Sequence, residues 1–109
     1  MRRGEVWTVA GGAGYAGKPR PAVIVQDDAF DDTNSITLCP LTSDPTDAPL
    51  IRLAILPTES NGLKEPSRIM ADKITTVPKA RLGDRIGRLT DEDLLRLNGA
   101  IVVFLGVAR

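Results

Sequence analysis

Two residue types that carry much of protein chemistry are nearly missing from this sequence. Its 109 residues include no histidine and a single cysteine, Cys39. Zinc and most transition metals are bound through these side chains, so we expect no metal site of that kind. A histidine acid–base pair is excluded, as is an internal disulfide, and the lone cysteine favours a reducing compartment.

Aromatic side chains and long apolar runs are also scarce. The aromatic residues, which limit the surfaces on which nucleobases could stack, are Trp7, Tyr15, Phe30 and Phe104. The longest apolar run, residues 99–108, is roughly half of what a bilayer-spanning helix needs. No secretory signal precedes Val6, so we expect a cytoplasmic protein with no membrane partner.

The composition that remains is typical of one globular domain. The chain is 42% apolar and 26% charged, and its length predicts a single domain over residues 1–109. The formal net charge of zero argues mildly against a nucleic-acid partner. The charges are unevenly distributed, however: residues 27–48 carry six aspartates and no base, whereas the segment from Lys64 onward carries nine bases against six acids. A neutral total can therefore hide a basic face and an acidic loop.

Short apolar segments separated by turn residues predict a mainly β protein. The clearest strand is PAVIVQ at residues 21–26, which is β-branched and almost continuously apolar, as buried strands are. Pro40 predicts that the strand at 35–41 ends at an edge or a bulge. Further strands are predicted at residues 5–10, 50–56 and 84–89, with one or two more within 67–77.

The C-terminal segment predicts a helix. Thr90 precedes three consecutive acids, as in a capping box, and apolar residues then recur at helical spacing. A strand at residues 101–103 is the alternative, since these residues are β-branched. The second half of the helix is apolar nearly all round, which predicts burial on more than one side, as in a subunit interface. Strands followed by one helix predict a small curled sheet or barrel with a terminal helix.

Two motifs suggest ligands that their surroundings do not favour. Residues 12–18 (GAGYAGK) match glycine-rich phosphate-binding patterns, but those patterns require a helix to follow, and here Pro19 leads into a strand. A loop able to cover a substrate is the better interpretation. The acidic residues 27–32 lack the glycine and the terminal glutamate of a calcium loop, so a solvated turn is favoured.

Arg20 is more informative, because it stands between Pro19 and Pro21. The prolines restrict its backbone to the extended region, so less conformational freedom is lost when it engages a ligand. Its planar guanidinium suits phosphate oxygens. The alternative is a turn arginine that pairs with a nearby aspartate.

Polar residues at the end of the third strand form a second candidate. Thr42 and Ser43 follow the strand directly, and hydroxyls at such a position commonly cap a turn. The polar pairs Ser67–Arg68 and Asp72–Lys73 are explained by alternation along strands. None of these patterns alone indicates a reaction.

Taken in order, several short motifs resemble the MazF/PemK family of toxins, the sequence-specific endoribonucleases of toxin–antitoxin pairs. The match runs nearly end to end. It comprises RGEVW at residues 3–7, RPAVIVQDD at 20–28, PLTS at 40–43, Gly62–Leu63, Pro66–Ser67, Asp72, Lys79, RLG at 81–83 and IGRL at 86–89.

The resemblance implies an SH3-like β-barrel with a C-terminal α-helix that acts as a homodimer. It implies single-stranded RNA as substrate, no metal or other cofactor, and a cognate antitoxin whose disordered tail orders on the toxin dimer. Arg20 and Thr42 match the family's catalytic arginine and threonine, and the RNA's own 2′-hydroxyl is the nucleophile. We expect further RNA contacts from Lys18, Ser43, Asp72 and Lys73, and the candidates for the general base are Asp72 and Lys18.

Two other functions remain open at this point. Barrels of this kind also occur in non-catalytic toxins that bind a protein target such as gyrase, and the chain could be a degenerate toxin whose only partner is its antitoxin. A nuclease needs Arg20 and Thr42 to meet in one groove, whereas a binding module does not. The position of these two side chains therefore discriminates between the hypotheses.

Overall fold

The computed structural model of the chain describes residues 1–11 and 18–107. The glycine-rich segment 12–17, for which a loop was predicted, lies outside these ranges. The described residues form seven strands and one α-helix: β1 (Glu5–Val9), β2 (Arg20–Ile24), β3 (Ser35–Thr42), β4 (Arg52–Ile55), β5 (Ser67–Met70), β6 (Thr75–Pro78), β7 (Leu82–Arg88) and α1 (Asp91–Leu105). Every predicted strand is confirmed, and segment 67–77 contains two, because the 3₁₀ turn Ala71–Lys73 separates β5 from β6.

The strands form one curled antiparallel sheet in the order β4-β5-β3-β2-β1-β7, with β6 also paired to β3. Helix α1 follows the last strand. This is the predicted fold class, a mainly β domain that ends in a helix. In the part of the chain described, no helix is both long and apolar enough to cross a bilayer.

Strand β3 is the centre of the sheet, because it changes partner along its length. It pairs with β6 as far as Leu38 and with β5 from Leu41 onward. Pro40 falls between these two contacts and faces Ala22 of β2 on its other side. Instead of the predicted edge or bulge, Pro40 lies where β3 changes its neighbour from β6 to β5. The missing backbone N–H of proline is tolerated at such a position. The strand then continues to Thr42.

Both faces of β2 are buried, which explains its continuous apolar sequence. Side chains alternate across a strand, so Val23 lies in one core cluster and Ile24 in another. The first cluster includes Cys39, Ile69 and the helix residues Leu97 and Ala100. The second includes Val9, Ala22, Ile36, Leu38 and Val77.

Helix α1 begins and ends as its sequence predicts. Thr90 Oγ1 accepts a hydrogen bond from the Asp93 backbone N–H, and Gly106 closes the helix in the left-handed conformation. The predicted burial of the second half is not met within one chain. Val103 is 51% exposed and Phe104 43% exposed, because the sheet covers only the side of the helix that carries Leu97 and Ala100.

Candidate active site

An open groove of about 580 Å³ lies where β2 begins and β3 ends. Arg20, Thr42 and Ser43 line it together. The structure thus brings three of the predicted site residues to one surface. The remaining lining comes from neighbouring residues of β2 and β3, from β1, β5 and β7, and from the loop between β4 and β5.

The pairing of β2 with β3 explains why Arg20 and Thr42 meet. The antiparallel register sets Ala22 opposite Pro40, and Arg20 and Thr42 each lie two residues farther along, toward the same end of the pair. Side chains two residues apart lie on the same face of a strand. Arg20 and Thr42 are therefore cross-strand neighbours on the face that carries Ala22 and Pro40. The short strand β2 begins at Arg20 itself.

Arg20 is held at its backbone and open at its guanidinium. Its strand position is fixed by pairing with Val9 of β1, and Pro21 pairs with Thr8. Its side chain is exposed. Within residues 1–11 and 18–107, no carboxylate lies within ion-pair distance of it. Among the described residues, Arg20 is therefore not a turn arginine paired with an aspartate.

The Thr42 hydroxyl accepts one hydrogen bond and remains able to donate another. Its Oγ1 accepts a hydrogen bond from the Asp44 backbone N–H at 3.1 Å. A hydroxyl that accepts at one lone pair still has its own proton to give. The turn-capping role and a role in the groove are thus compatible, since they use different parts of the same group.

Charged residues that the sequence did not single out also line the groove. Lys64 adds a second cation, and Glu65 and Asp84 add two carboxylates. Asp84 is fixed at its backbone, where its N–H donates to Thr8 Oγ1 at 2.9 Å. No local pattern could have identified these residues, because their position depends on how a loop and β7 pack against the barrel.

The loop between β4 and β5 forms one wall of the groove and is anchored by a buried asparagine. Asn61 is 3% exposed. Its Oδ1 accepts from the N–H groups of Thr58 and Leu63, both at 3.0 Å, and its Nδ2 donates to the Leu56 carbonyl at 2.9 Å. Gly62 follows with φ +69°, packed so closely that a Cβ would lie 1.9 Å from the Ile86 carbonyl oxygen. The wall that carries Lys64 is therefore fixed against β7.

Three of the predicted RNA-contacting residues are not among those that line the groove. Lys18 is exposed two residues before Arg20, and Lys73 is exposed after β5. Asp72 is engaged elsewhere, since Arg52 donates to both of its carboxylate oxygens at 2.9 and 3.0 Å. These hydrogen bonds hold the pKa of the Asp72 carboxyl below its usual range. A carboxylate held in this way is a weak proton acceptor.

The acidic segment after β2 is tied to the protein by its own partners. Asp28 accepts a hydrogen bond from the Arg3 backbone N–H at 2.7 Å. Asp31 lies 2.8 Å from the Lys79 ammonium, whose hydrogen bond lowers the pKa of that carboxyl. No group of three or more potential metal ligands occurs among the residues that the structure describes. The segment forms a turn, as predicted, with the exposed 3₁₀ turn Asp28–Phe30 at its start.

Cys39 has no place in the groove chemistry. The thiol lies in the core, and burial raises its pKa to about 12. A thiol that stays protonated at neutral pH is a poor nucleophile.

Comparison with known proteins gives a consistent result over the whole chain. The family model of the PemK-like, MazF-like toxins of type II toxin–antitoxin systems matches residues 2–105. A probable endoribonuclease MazF from Mycolicibacterium smegmatis is 51% identical over 108 residues, which cover 99% of each chain. Endoribonuclease MazF9 from Mycobacterium tuberculosis is 31% identical, with 96% of each chain covered.

The structural comparison agrees. An endoribonuclease from a mycobacterial species, solved in complex with its cognate antitoxin, superimposes with a TM-score of 0.81 at 28% identity, covering 98% of this chain and 96% of that one. With its fold, its groove and its sequence in agreement, the chain belongs to the family of PemK-like, MazF-like toxins of type II toxin–antitoxin systems.

Proposed function

We propose that the groove binds single-stranded RNA and that Arg20 and Thr42 hold the phosphate at which the strand is cut. The general class of the protein follows from its family: it is an endoribonuclease toxin. Beyond that class, we propose which residues perform the cleavage and how, and that the reaction needs no metal ion.

The reaction needs no protein nucleophile. The RNA's 2′-oxygen attacks the adjacent phosphorus, the bond to the 5′-oxygen breaks, and the products are a 2′,3′-cyclic phosphate and a free 5′-hydroxyl. The 2′-hydroxyl proton goes to a base, and the leaving oxygen takes a proton from water. The absence of histidine and the inert Cys39 thiol are compatible with this route.

The protein must stabilise the negative charge that builds on a five-coordinate phosphate. The Arg20 guanidinium can donate two parallel hydrogen bonds to phosphate oxygens, and the Thr42 hydroxyl can donate a third. The backbones of both residues are fixed in the sheet before substrate arrives, which limits the reorganisation needed to aim these donors. Glu65 and Asp84 are the groove carboxylates that can accept the 2′-hydroxyl proton, since Asp72 is occupied by Arg52.

One observation carries the proposal: Arg20 and Thr42 line the same groove. The alternative of a gyrase-binding toxin needs no such convergence. Both relatives described above are named as endoribonucleases, which also favours cleavage.

The test is cleavage of a mixed-sequence RNA in the presence of a chelator. Arg20→Ala and Thr42→Val should each lower kcat about ten- to a thousand-fold, as loss of one oxyanion donor does. Arg96→Ala is the matched control, because Arg96 is an exposed arginine paired with Asp93 on α1. RNA left intact by the wild-type protein, or cut equally well by Arg20→Ala, would contradict the proposal.

The assembly follows from the same family. The mycobacterial relative binds a cognate antitoxin, and we infer that this chain is likewise neutralised by one, whose disordered tail orders on binding. The chain acts as a homodimer of one toxin domain in the cytoplasm. The exposed apolar half of α1 supports the dimer, because water-exposed apolar patches mark interaction surfaces.

A further inference from the structure

A second, smaller cavity of about 160 Å³ lies beside the groove and shares Arg20 and Pro21 with it. Its floor is apolar and belongs to the second core cluster, with Val9, Ala22, Leu38 and Val77 in the lining. Because four strands contribute to it, this floor is part of the rigid sheet. It is therefore formed before any ligand arrives.

The edge of this cavity carries two arginines and one neutral hydroxyl. Arg81 is held in place because its Nε and Nη2 donate to the Ala10 carbonyl oxygen, at 3.3 and 2.8 Å. Its remaining N–H groups have no partner in the described residues. Thr75 lines the same cavity and is exposed, and its hydroxyl makes no hydrogen bond within the described ranges.

We propose that this cavity is a subsite for one nucleobase of the RNA substrate, the base next to the phosphate held by Arg20. The inference rests on the proposed function, and it assigns a place where the sequence of the RNA is read. A base offers a flat apolar face to the floor and a polar edge to Thr75. Arginine suits the remaining contacts, since its guanidinium stacks on bases and binds the phosphates that flank them.

The shared Arg20 is the reason to assign the cavity to RNA. A strand whose phosphate lies on Arg20 in the groove has its neighbouring base next to that arginine, which is also the entrance to the cavity. An apolar side chain of a protein partner would fill the floor but would leave the charges of Arg20 and Arg81 uncompensated. A nucleotide can do both, because its base packs on the apolar floor and its phosphates pair with the arginines.

The test compares two adjacent threonines on β6. Thr75 pairs with Leu38 and faces the cavity, whereas Thr76 pairs with Thr37 and its hydroxyl lies 2.6 Å from the Thr37 hydroxyl. Thr75 is exposed, so Thr75→Phe should fill the cavity without disturbing the core. Thr76→Phe is the control, because it adds the same side chain on the opposite face of β6. Thr75→Val removes only the hydroxyl and keeps the volume.

The measurement is cleavage of an RNA series in which each position around the cut carries in turn each of the four bases or none. With the wild-type protein, one abasic position should slow cleavage by about 5- to 150-fold, the value of one stacked base. Thr75→Phe should lower cleavage of intact RNA and abolish that difference. Thr75→Val should alter which base is preferred at that position, and Thr76→Phe should behave as wild type.

Two outcomes overturn the inference while leaving the proposed function in place. One is efficient cleavage by both Thr75 variants with the wild-type dependence on every base. Another is an unchanged base dependence together with weakened antitoxin binding, which would assign the cavity to the antitoxin. If the wild-type protein cuts no RNA at all, the proposed function fails and this inference fails with it.

Discussion

At the scale of single residues, Arg52 and Asp72 form a partly buried ion pair. The two side chains are only 16% and 18% exposed, and both carboxylate oxygens accept hydrogen bonds from the guanidinium. This geometry lowers the pKa of Asp72 and raises that of Arg52. The pair joins β4 to the turn after β5, next to helix α1, and thus lies away from the residues that line the groove.

We predict that Asp72→Asn lowers the free energy of unfolding at pH 7 by about 1.5–3 kcal/mol, the value of hydrogen bonds to charged groups. Because the folded-state pKa of Asp72 is depressed, its contribution is present above the unfolded pKa of about 4 and is lost as the pH falls through the lower folded value. Urea denaturation at pH 7 and near pH 2 measures both limits.

The same variant tests whether Asp72 acts as the general base. If Asp72 is structural, Asp72→Asn should retain RNA cleavage at a temperature where it is fully folded. Asp32→Asn is the control for loss of one exposed acid. Equal stabilities of wild type and Asp72→Asn at pH 7, or a folded variant that no longer cuts, would contradict this account.

At the scale of elements, the groove depends on the loop between β4 and β5 as much as on the strands. The loop contains little regular structure, yet Asn61 holds it together through hydrogen bonds within the loop, and Gly62 packs it against β7. A local change in this loop should therefore alter a wall of the groove.

Two glycines with similar backbone angles allow the cost of a left-handed backbone to be distinguished from the cost of a steric overlap. Gly62 has φ +69° and its Cβ would overlap the Ile86 carbonyl, whereas Gly106 has φ +73° and open space around it. Gly106→Ala should cost about 1–2 kcal/mol of unfolding free energy for the left-handed backbone. Gly62→Ala should cost about 1–3 kcal/mol more, because the overlap must be relieved.

Thermal and urea unfolding measure this difference, and RNA cleavage reports on the groove. Gly62→Ala should lower cleavage even where it is folded, since the wall that carries Lys64 must shift. Gly106→Ala, at the end of α1, should cut as the wild type does. Equal losses of stability for the two variants would show that the close approach to Ile86 is unimportant.

At the scale of the whole molecule, the apolar second half of α1 is the main feature left uncovered. Val103, Phe104 and Leu105 are each between 43% and 52% exposed. A second copy of the chain would bury them, in keeping with the proposed homodimer.

We predict that Phe104→Glu converts the dimer to a monomer, because a charge at a subunit interface must be desolvated. Light scattering coupled to size-exclusion chromatography would measure the mass, and the far-ultraviolet circular dichroism spectrum should remain that of a folded protein. Leu56→Glu, at an exposed leucine outside α1, should leave the dimer intact. A monomeric wild-type protein, or a dimeric Phe104→Glu, would contradict the prediction.

Much of the fold was predictable because its signals are local. The β-branched run at 21–26 marks a strand buried on both faces, and Thr90 with the acids after it marks the start of a helix. Arg20 stood out because of its prolines. The ordered set of short motifs then indicated the family, which the comparisons confirm.

The groove was predictable only in part. Arg20, Thr42 and Ser43 lie at strand ends that the sequence identifies, and the register of β2 with β3 brings them together. The resemblance also offered Asp72 as an RNA contact and a candidate general base, yet its partner Arg52 lies 20 residues away along the chain. No local pattern reveals a pairing of that kind.

The sequence by itself determined the elements and the chemistry available to them, since propensity, capping and side-chain type act over a few residues. It also excluded histidine chemistry within these 109 residues, whereas the inertness of the Cys39 thiol follows only from its burial. The tertiary structure alone decided which charges line the groove, that Asp72 is held by Arg52, and that Arg20 lies between two cavities. These facts depend on how a loop and distant strands pack, and packing distances are not encoded in neighbouring residues.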